Sequence, residues 1–411
     1  MINFLLEFLF WFPVTMSLGW ISSSIFFYFR RERKSKDRGL PTLPSFPLVS
    51  IVIPCYNEEQ VIEGTIHELS NINYPNYEII AINDGSSDKT SEILKRLQLQ
   101  YSNLRFIDQK ANRGKANALY LSALASKAEY LLCVDADAHL ENNALIYIMN
   151  HFLAPRNGER VGAVTGNPKV LNSNTLLARV QLVEYSSIIG LIKRSQRILG
   201  KIMTVSGVLV AYRKRALLEC GFWDRDIITE DIAVTWKLQR SKWDVRYETN
   251  AICYMYVPET FKGLWKQRVR WSQGGLETLK RNLGMLKNWS DRRFFLIMVS
   301  ECISVLWVYV LAFLIIYFLF ISPTVSIRFI FDFSFLTILC LFQFFIAVLM
   351  DKKYNKMPLK NFIWAAWYPL LYWFLNALYI IFAMPKALMS KKGSYATWTS
   401  PDRGDDVNEE D

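Results

Sequence analysis

Apolar residues fall into two patterns along this chain. Toward the ends lie four long unbroken apolar stretches, at about 4–29, 294–321, 329–350 and 362–384. Each is long enough for a helix of about 20 residues to cross the hydrocarbon core of a bilayer. The middle, about 40–260, behaves differently, with short apolar runs alternating with helical spacing. Runs at 48–54 (LVSIVIP), 77–83 (YEIIAIN), 104–108 and 130–134 (YLLCV) predict strands, and 59–70, 88–100 and 114–126 predict the helices among them. Repeated strand–helix units predict an α/β fold with a mostly parallel sheet covered on both faces. The expected organisation is an N-terminal transmembrane helix (1–29), a basic linker (30–47), an α/β domain (48–258), an amphipathic interfacial region (259–293), a membrane region of about three spans (294–384) and a tail (385–411).

Charge assigns sides. The first stretch lacks a basic leader and a small-residue cleavage site, so it reads as an anchor rather than a signal peptide. Arg30-Arg31-Glu32-Arg33-Lys34-Ser35-Lys36-Asp37-Arg38 follows it with six cations, which places that side in the cytosol. Lys287, Arg292 and Arg293 before the second stretch, and Asp351-Lys352-Lys353-Tyr354-Asn355-Lys356 after the third, agree. The fourth conflicts. A single crossing would leave Lys386, Lys391, Lys392 and Arg403 outside, so a kinked or re-entrant path through Pro369 stays open.

Composition narrows the class. Hydrophobic residues make up 52% and charged residues 21% of 411 positions, which excludes a disordered or collagen-like chain. Three His argue against a His-rich metal centre, and six scattered Cys without CxxC argue against a zinc site or a disulfide framework.

In open α/β sheets, ligands bind beyond the carboxyl ends of the strands. The polar residues of the middle gather there: Tyr56-Asn57-Glu58, Asp84, and Asp135-Ala136-Asp137. Neither GxGxxG nor GxxxxGK[ST] occurs, so a nucleotide's charge must be met by a metal or by cations. Two carboxylates two residues apart at a strand end suit Mg²⁺, which fills its other positions with water and phosphate oxygens; a solvated turn is the bland alternative. In Thr229-Glu230-Asp231, Thr229 is placed to cap a helix over 232–240. The acids either favour the helix dipole or act as a general base, in which case substrate charge or burial must restore the basicity that a helix N-terminus removes. Gln267, Arg270 and Trp271 share one helical face within an amphipathic segment, about 261–287, suited to a membrane surface. Asn112-Arg113-Gly114-Lys115 opens a helix that holds an anion or is an ordinary helix start.

The order of these elements resembles the family 2 glycosyltransferases of the processive, membrane-embedded kind. The stretches that carry it are Ile82-Asn83-Asp84-Gly85-Ser86-Ser87-Asp88, Asn112-Arg113-Gly114-Lys115-Ala116-Asn117-Ala118-Leu119, Thr165-Gly166-Asn167-Pro168, Ile228-Thr229-Glu230-Asp231-Ile232-Ala233-Val234 and Gly263-Leu264-Trp265-Lys266-Gln267-Arg268-Val269-Arg270-Trp271. The tail Trp398-Thr399-Ser400-Pro401-Asp402-Arg403-Gly404 narrows the resemblance to the synthases of biofilm adhesin systems. The resemblance implies a GT-A (Rossmann-like nucleotide-diphospho-sugar transferase) domain in the cytosol of a bacterial plasma membrane, with transmembrane helices on both sides. It implies UDP-N-acetylglucosamine as donor, a growing β-1,6-linked polysaccharide as acceptor, Mg²⁺ or Mn²⁺ as cofactor, a small two-span membrane subunit as partner and no nucleic acid. By position, Tyr56, Glu58 and Asp84 would contact the uridine, and Lys115 would lie near the donor. Asp135 would contact the nucleotide and, with Asp137, the metal. Ser206 and Gly207 would line the acceptor side. Asp231 would be the base, with Glu230 beside it. Arg270 would meet the donor diphosphate, and Gln267 and Trp271 the acceptor. Residue chemistry alone specifies neither sugar nor linkage, so hyaluronan, chitin or cellulose synthesis, single-sugar transfer to a lipid phosphate, and a non-catalytic membrane scaffold remain open at this stage.

Overall fold

Strands form in the middle of the chain where apolar runs are buried from both sides. Along β1 (Val49–Cys55), Val49, Ile51 and Ile53 enter one core and Val52 enters the opposite one. The same alternation runs through β2 (Tyr77–Asp84), with Ile79 and Ala81 against Ile80 and Ile82, and through β4 (Tyr130–Val134), with Leu132 and Val134 against Leu131 and Cys133. Period-two side-chain alternation with both faces covered explains why these segments read as continuous apolar runs. Burying each such side chain contributes about 1.5–3 kcal/mol.

These observations come from a computed structural model, which describes residues 1–33, 39–287, 294–321, 327–354 and 359–397. Lys34–Arg38 of the basic linker, Arg292 and Arg293, Asn355 and Lys356, and the tail from Trp398 onward lie outside the described residues. The chain forms two compact units. One comprises Ser35–Ala178, Ile202–Gln267 and Lys391–Asp411; the other comprises Met1–Lys34, Arg179–Lys201 and Arg268–Ser390.

The first unit is built on an eight-stranded sheet. With β3 (Leu104–Gln109), β5 (His139–Leu140), β6 (Val161–Val170), β7 (Leu209–Arg213) and β8 (Asp244–Met255), its order is β3-β2-β1-β4-β7-β6-β8-β5. The β3-β2-β1-β4 half is parallel. The rest is mixed: β7 runs antiparallel to both β4 and β6, β8 is parallel to β6, and β5 is antiparallel to β8. The sheet is therefore less uniformly parallel than the apolar runs suggest. The sequence also reads as strand-like over 204–212, but the strand begins only at Leu209; the first half is the loop that carries Ser206 and Gly207. The chain steps from β1 outward to β2 and β3, then returns to place β4 on the other side of β1. That reversal is the switch point at which such sheets open a ligand crevice.

The second unit is built from apolar helices. Ile2–Phe27 continues through a π turn at Tyr28–Glu32, and Phe295–Phe320 and Ile327–Asp351 are long uninterrupted helices. Among the described residues, three helices are thus long and apolar enough to cross a membrane. The fourth apolar stretch is not a fourth such helix. It breaks into a 3₁₀ segment Leu359–Ala366, a π turn Tyr368–Tyr372 containing Pro369, and a helix Trp373–Met389 of 17 residues. Proline has no N–H to donate and its ring crowds the preceding turn, so a straight α-helix does not run through it. Pro369 sits in the first turn of the π segment, where a missing N–H is tolerated, and the helix Trp373–Met389 continues directly from that segment.

Two helices from the middle of the sequence, Leu176–Tyr185 and Ile192–Leu199, are joined by a π turn at Ser186–Leu191. Residues from Arg179 onward group with the apolar helices. Arg194, fully buried, joins them: its Nε lies 2.6 Å from Glu32 Oε1 and its Nη1 3.3 Å from Asp351 Oδ1. The Tyr354 hydroxyl donates to Glu32 Oε2 at 3.0 Å. The Ser23 and Ser195 hydroxyls share a hydrogen bond of 2.6 Å, and Gln343 donates to Ser187 at 3.1 Å.

Candidate active site

The carboxyl ends of β1, β2 and β4 set the floor of the site. In-register pairing of Cys55 with Asn83 brings the turn after β1 beside Asp84 at the end of β2. The two turns interlock: Asn57, at φ 57°, donates its N–H to Ser86 Oγ at 2.9 Å, and its Oδ1 accepts from Ser87 N–H at 2.9 Å. Glu58 is buried and its N–H donates to Thr90 Oγ1 at 2.8 Å, while Tyr56 before it is half-buried.

Asp84 is fully buried, and its two oxygens accept the N–H groups of Arg113 (3.0 Å) and Gly114 (2.7 Å). This fixes the loop that opens the helix Lys115–Ala125. Gly85 and Gly114 both hold left-handed backbone, at φ +72° and +87°. A Cβ on Gly85 would lie 2.6 Å from the Ala111 carbonyl carbon, and one on Gly114 would collide with the Ala396 carbonyl oxygen. The described part of the tail lies along this loop. Ala396 N–H donates to Arg225 O at 2.9 Å, and the Tyr395 ring sits under both Arg113 (5.7 Å) and Arg225 (5.8 Å).

Lys115 is the hub. Its ammonium donates to Asp135 Oδ1, lies 3.5 Å from Glu230 Oε1 and reaches the Gly207 carbonyl at 3.5 Å. Asp231 stands in the same cluster, its Oδ2 3.5 Å from where a Cβ on Gly207 would sit. The structure thus brings together Lys115, Asp135, Gly207, Glu230 and Asp231, with Ser206 held by its N–H to Thr165 Oγ1 at 2.8 Å and Asp137 two residues beyond Asp135. Burial works against the Lys115 charge, but Asp135, Glu230 and Asp231 outweigh it and hold the ammonium well above its usual pKa. Asp135 is pushed upward by burial, with Lys115 opposing and Asp137 and Glu230 adding to the rise. One ammonium thus stands among three carboxylates, each of which favours its charge.

Glu230 and Asp231 begin the helix Glu230–Arg240, and Asp231 Oδ1 accepts the Ile232 N–H at 2.9 Å. Thr229 occupies the position before this helix, but its hydroxyl makes no capping bond and is buried without a hydrogen-bond partner. Among the described residues the expected threonine cap is therefore not made, and Asp231 accepts a first-turn N–H instead. Gln267, Arg270 and Trp271 lie on the helix Phe261–Asn282. Gln267 belongs to the sheet unit, while Arg270 and Trp271 belong to the unit of apolar helices. Gln267 Oε1 is buried and accepts no hydrogen bond among the described residues.

A divalent ion fits the donor set as far as hard oxygen ligands go. Asp135 and Asp137 leave a strand end side by side, and Glu230 adds charge near Asp135. Among the described residues no group of three or more His, Cys, Asp or Glu gathers as a metal cage. An ion held here takes most of its ligands from phosphate oxygens and water, which is the habit of Mg²⁺. Two charged residues that sequence reasoning left without a role are Glu184 and Arg268. The signal available was a charge pair on two segments of helical spacing; only the fold shows that both are buried against each other.

The parallel half-sheet, its switch point and the carboxylate-lined crevice define the GT-A fold of nucleotide-diphospho-sugar transferases. A mannosyltransferase from Pyrobaculum calidifontis, solved with GDP-Man and Mn²⁺, shares this fold at TM-score 0.57 and 18% identity, covering 93% of this chain and 99% of that one. The family model "Glycosyltransferase like family 2" matches residues 46–274, more than half of the chain. Poly-β-1,6-N-acetyl-D-glucosamine synthase of Staphylococcus epidermidis is 42% identical over 410 residues, covering 97% of this chain and 98% of that protein. The synthase of the same name from Staphylococcus aureus is 40% identical over 416 residues, again covering 97% and 98%. The chain belongs to the family 2 glycosyltransferases and is a membrane-associated glycosyltransferase.

Proposed function

We propose that this chain polymerises N-acetylglucosamine from UDP-N-acetylglucosamine into a β-1,6-linked polysaccharide at the cytosolic face of a bacterial plasma membrane. The observation that carries the proposal is the crowding of Asp135, Glu230 and Asp231 around Lys115 at the carboxyl edge of the sheet. The near full-length similarity to the two staphylococcal synthases supports the choice of sugar and linkage.

In this reading Tyr56, Glu58 and Asp84 hold the uridine, and the Arg113–Gly114 loop, tied to Asp84, fixes its edge. Lys115 and Arg270 draw on the negative diphosphate. Asp135 and Asp137 hold Mg²⁺ or Mn²⁺, which when bound neutralises charge on the leaving diphosphate. Asp231 takes the proton from the attacking acceptor hydroxyl, which displaces UDP from the opposite face of the sugar carbon and inverts it. Glu230 beside Asp231 supports its basicity against the helix N-terminus. Ser206, Gly207, Gln267 and Trp271 meet the acceptor. Export of the polymer through the apolar helices and a small two-span partner subunit belong to the same proposal.

Membranes containing the chain, with and without a small partner subunit, test this with a panel of UDP-sugars. The expected result is UDP release with UDP-N-acetylglucosamine and a product digested by a β-1,6-specific hexosaminidase. A product that resists this enzyme but yields to a chitinase or hyaluronidase overturns the linkage. No turnover of any UDP-sugar overturns the synthase reading.

A further inference from the structure

Arg268 lies one helical turn before Trp271 on the helix Phe261–Asn282, so the two side chains meet on its surface. The Arg268 guanidinium carbon sits 4.7 Å from the centre of the Trp271 ring. On its other edge the same guanidinium makes a two-bond fork to Glu184: Nη1 to Oε1 at 3.2 Å and Nη2 to Oε2 at 2.6 Å. Glu184 stands near the end of the helix Leu176–Tyr185, directly ahead of the π turn Ser186–Leu191. Both charges are buried, while Trp271 keeps part of its surface exposed. Burial disfavours the guanidinium charge, and Glu184 more than restores it.

A buried ion pair is a poor way to add stability, since taking both charges out of water offsets most of their attraction. It is a good way to fix an orientation. A carboxylate that takes both terminal nitrogens sets the guanidinium plane, and that plane sets the angle of a ring stacked on it. A lysine in the same place would keep the charge but fix neither plane.

We propose that Glu184 and Arg268 are positioning residues for the acceptor: together they hold the Trp271 ring at the angle at which it stacks on an incoming sugar. The inference rests on the acceptor role proposed for Trp271. It assigns Glu184, distant in sequence from every motif, to the acceptor side of the reaction rather than to the donor.

The test uses the full chain in membranes, with UDP-N-acetylglucosamine as donor and a short β-1,6-N-acetylglucosamine oligomer as added acceptor. Glu184→Gln keeps the shape and removes the charge; Arg268→Lys keeps the charge and removes the fork. Each is expected to raise the acceptor KM about tenfold, the scale of one cation–π contact, with the donor KM within about twofold of the parent. Adding Glu184→Gln to Trp271→Ala is expected to cost little beyond Trp271→Ala alone, since the carboxylate acts through that ring. Additive losses, or an unchanged acceptor KM in both single variants, would overturn the proposal. An unchanged acceptor KM in Trp271→Ala would overturn the acceptor role itself, and this inference with it. Loss of inserted protein in both single variants, with Trp271→Ala well inserted, would make the pair a folding element and likewise overturn it.

Discussion

Buried charge is arranged in opposite ways in the two units of this protein. Among the apolar helices, two buried arginines are matched. Arg194 is held by Glu32 and Asp351, and Arg268 takes both oxygens of Glu184. At the sheet edge one ammonium, Lys115, faces Asp135, Glu230 and Asp231, with Asp137 adjoining. A guanidinium paired in this way is held in a fixed plane. Carboxylates gathered at a strand edge are hard oxygen donors of the kind that suit a divalent cation carrying a diphosphate. Under the proposed function, the arginine pairs shape the enzyme and the carboxylates around Lys115 do its chemistry.

The largest expected effect is at Asp231. Removing a general base typically costs about 10²–10⁴-fold in rate. Asp231→Asn is expected to lower polymer formation on that scale, with UDP affinity within a few-fold of the parent, as read by radiolabelled product and equilibrium UDP binding. Next is Arg194→Met, which leaves Glu32 and Asp351 buried without their cation. Removing one partner of such a group costs about 3–5 kcal/mol. Thermal unfolding in detergent should show a large loss of stability, and a triple replacement of Arg194, Glu32 and Asp351 by apolar residues should recover most of it. A matched clasp predicts that recovery; a functional cluster does not.

Smaller effects sharpen the comparison. Gly114→Ala places a Cβ against the Ala396 carbonyl and forces an L-residue into left-handed backbone. The loop bonded to Asp84 should shift, raising the donor KM by roughly tenfold while leaving the acceptor KM near its parent value. The smallest effect concerns Glu248, a fully served carboxylate within the sheet unit. Burial raises its pKa, but bonds from His151 and from Asn250 outweigh that and hold it below its ordinary 4.5. A depressed carboxyl contributes stability that is present above the unfolded pKa and lost as pH falls through the folded one. Glu248→Gln should therefore flatten the loss of thermal stability in the range below about pH 4.5, leaving neutral-pH activity unchanged.

The parts of the fold that were legible in the sequence are those whose cause is local. The run Tyr130–Val134 is a strand with the expected bounds, because burial on both faces writes itself as unbroken apolar sequence. The direction of pairing is not written there, so the antiparallel β7 could not be read from its own residues. The loop at Ser206–Gly207 looked like the start of that strand because its neighbours are apolar. Hydropathy marked the fourth apolar stretch as long enough to span and left its path through Pro369 open; a 3₁₀ segment and a π turn occupy its first half. Thr229 has the right residue type for a cap, yet its hydroxyl makes no bond. In the site, the strand-end acids were legible from their positions. The meeting of Lys115 with Glu230 was not, because two loops far apart in sequence must converge to make it. Nothing local in the sequence marks Glu184 or Arg194, and the fold buries both.

The measurement that tests the central claim most directly is equilibrium binding of UDP to the purified chain with and without Mg²⁺, for the parent and for Asp137→Asn. If the carboxylates around Lys115 receive a cation-borne diphosphate, Mg²⁺ should tighten UDP binding in the parent by at least about tenfold, and Asp137→Asn should remove most of that gain. UDP binding of equal strength with and without Mg²⁺, or a gain that survives Asp137→Asn intact, would contradict the account.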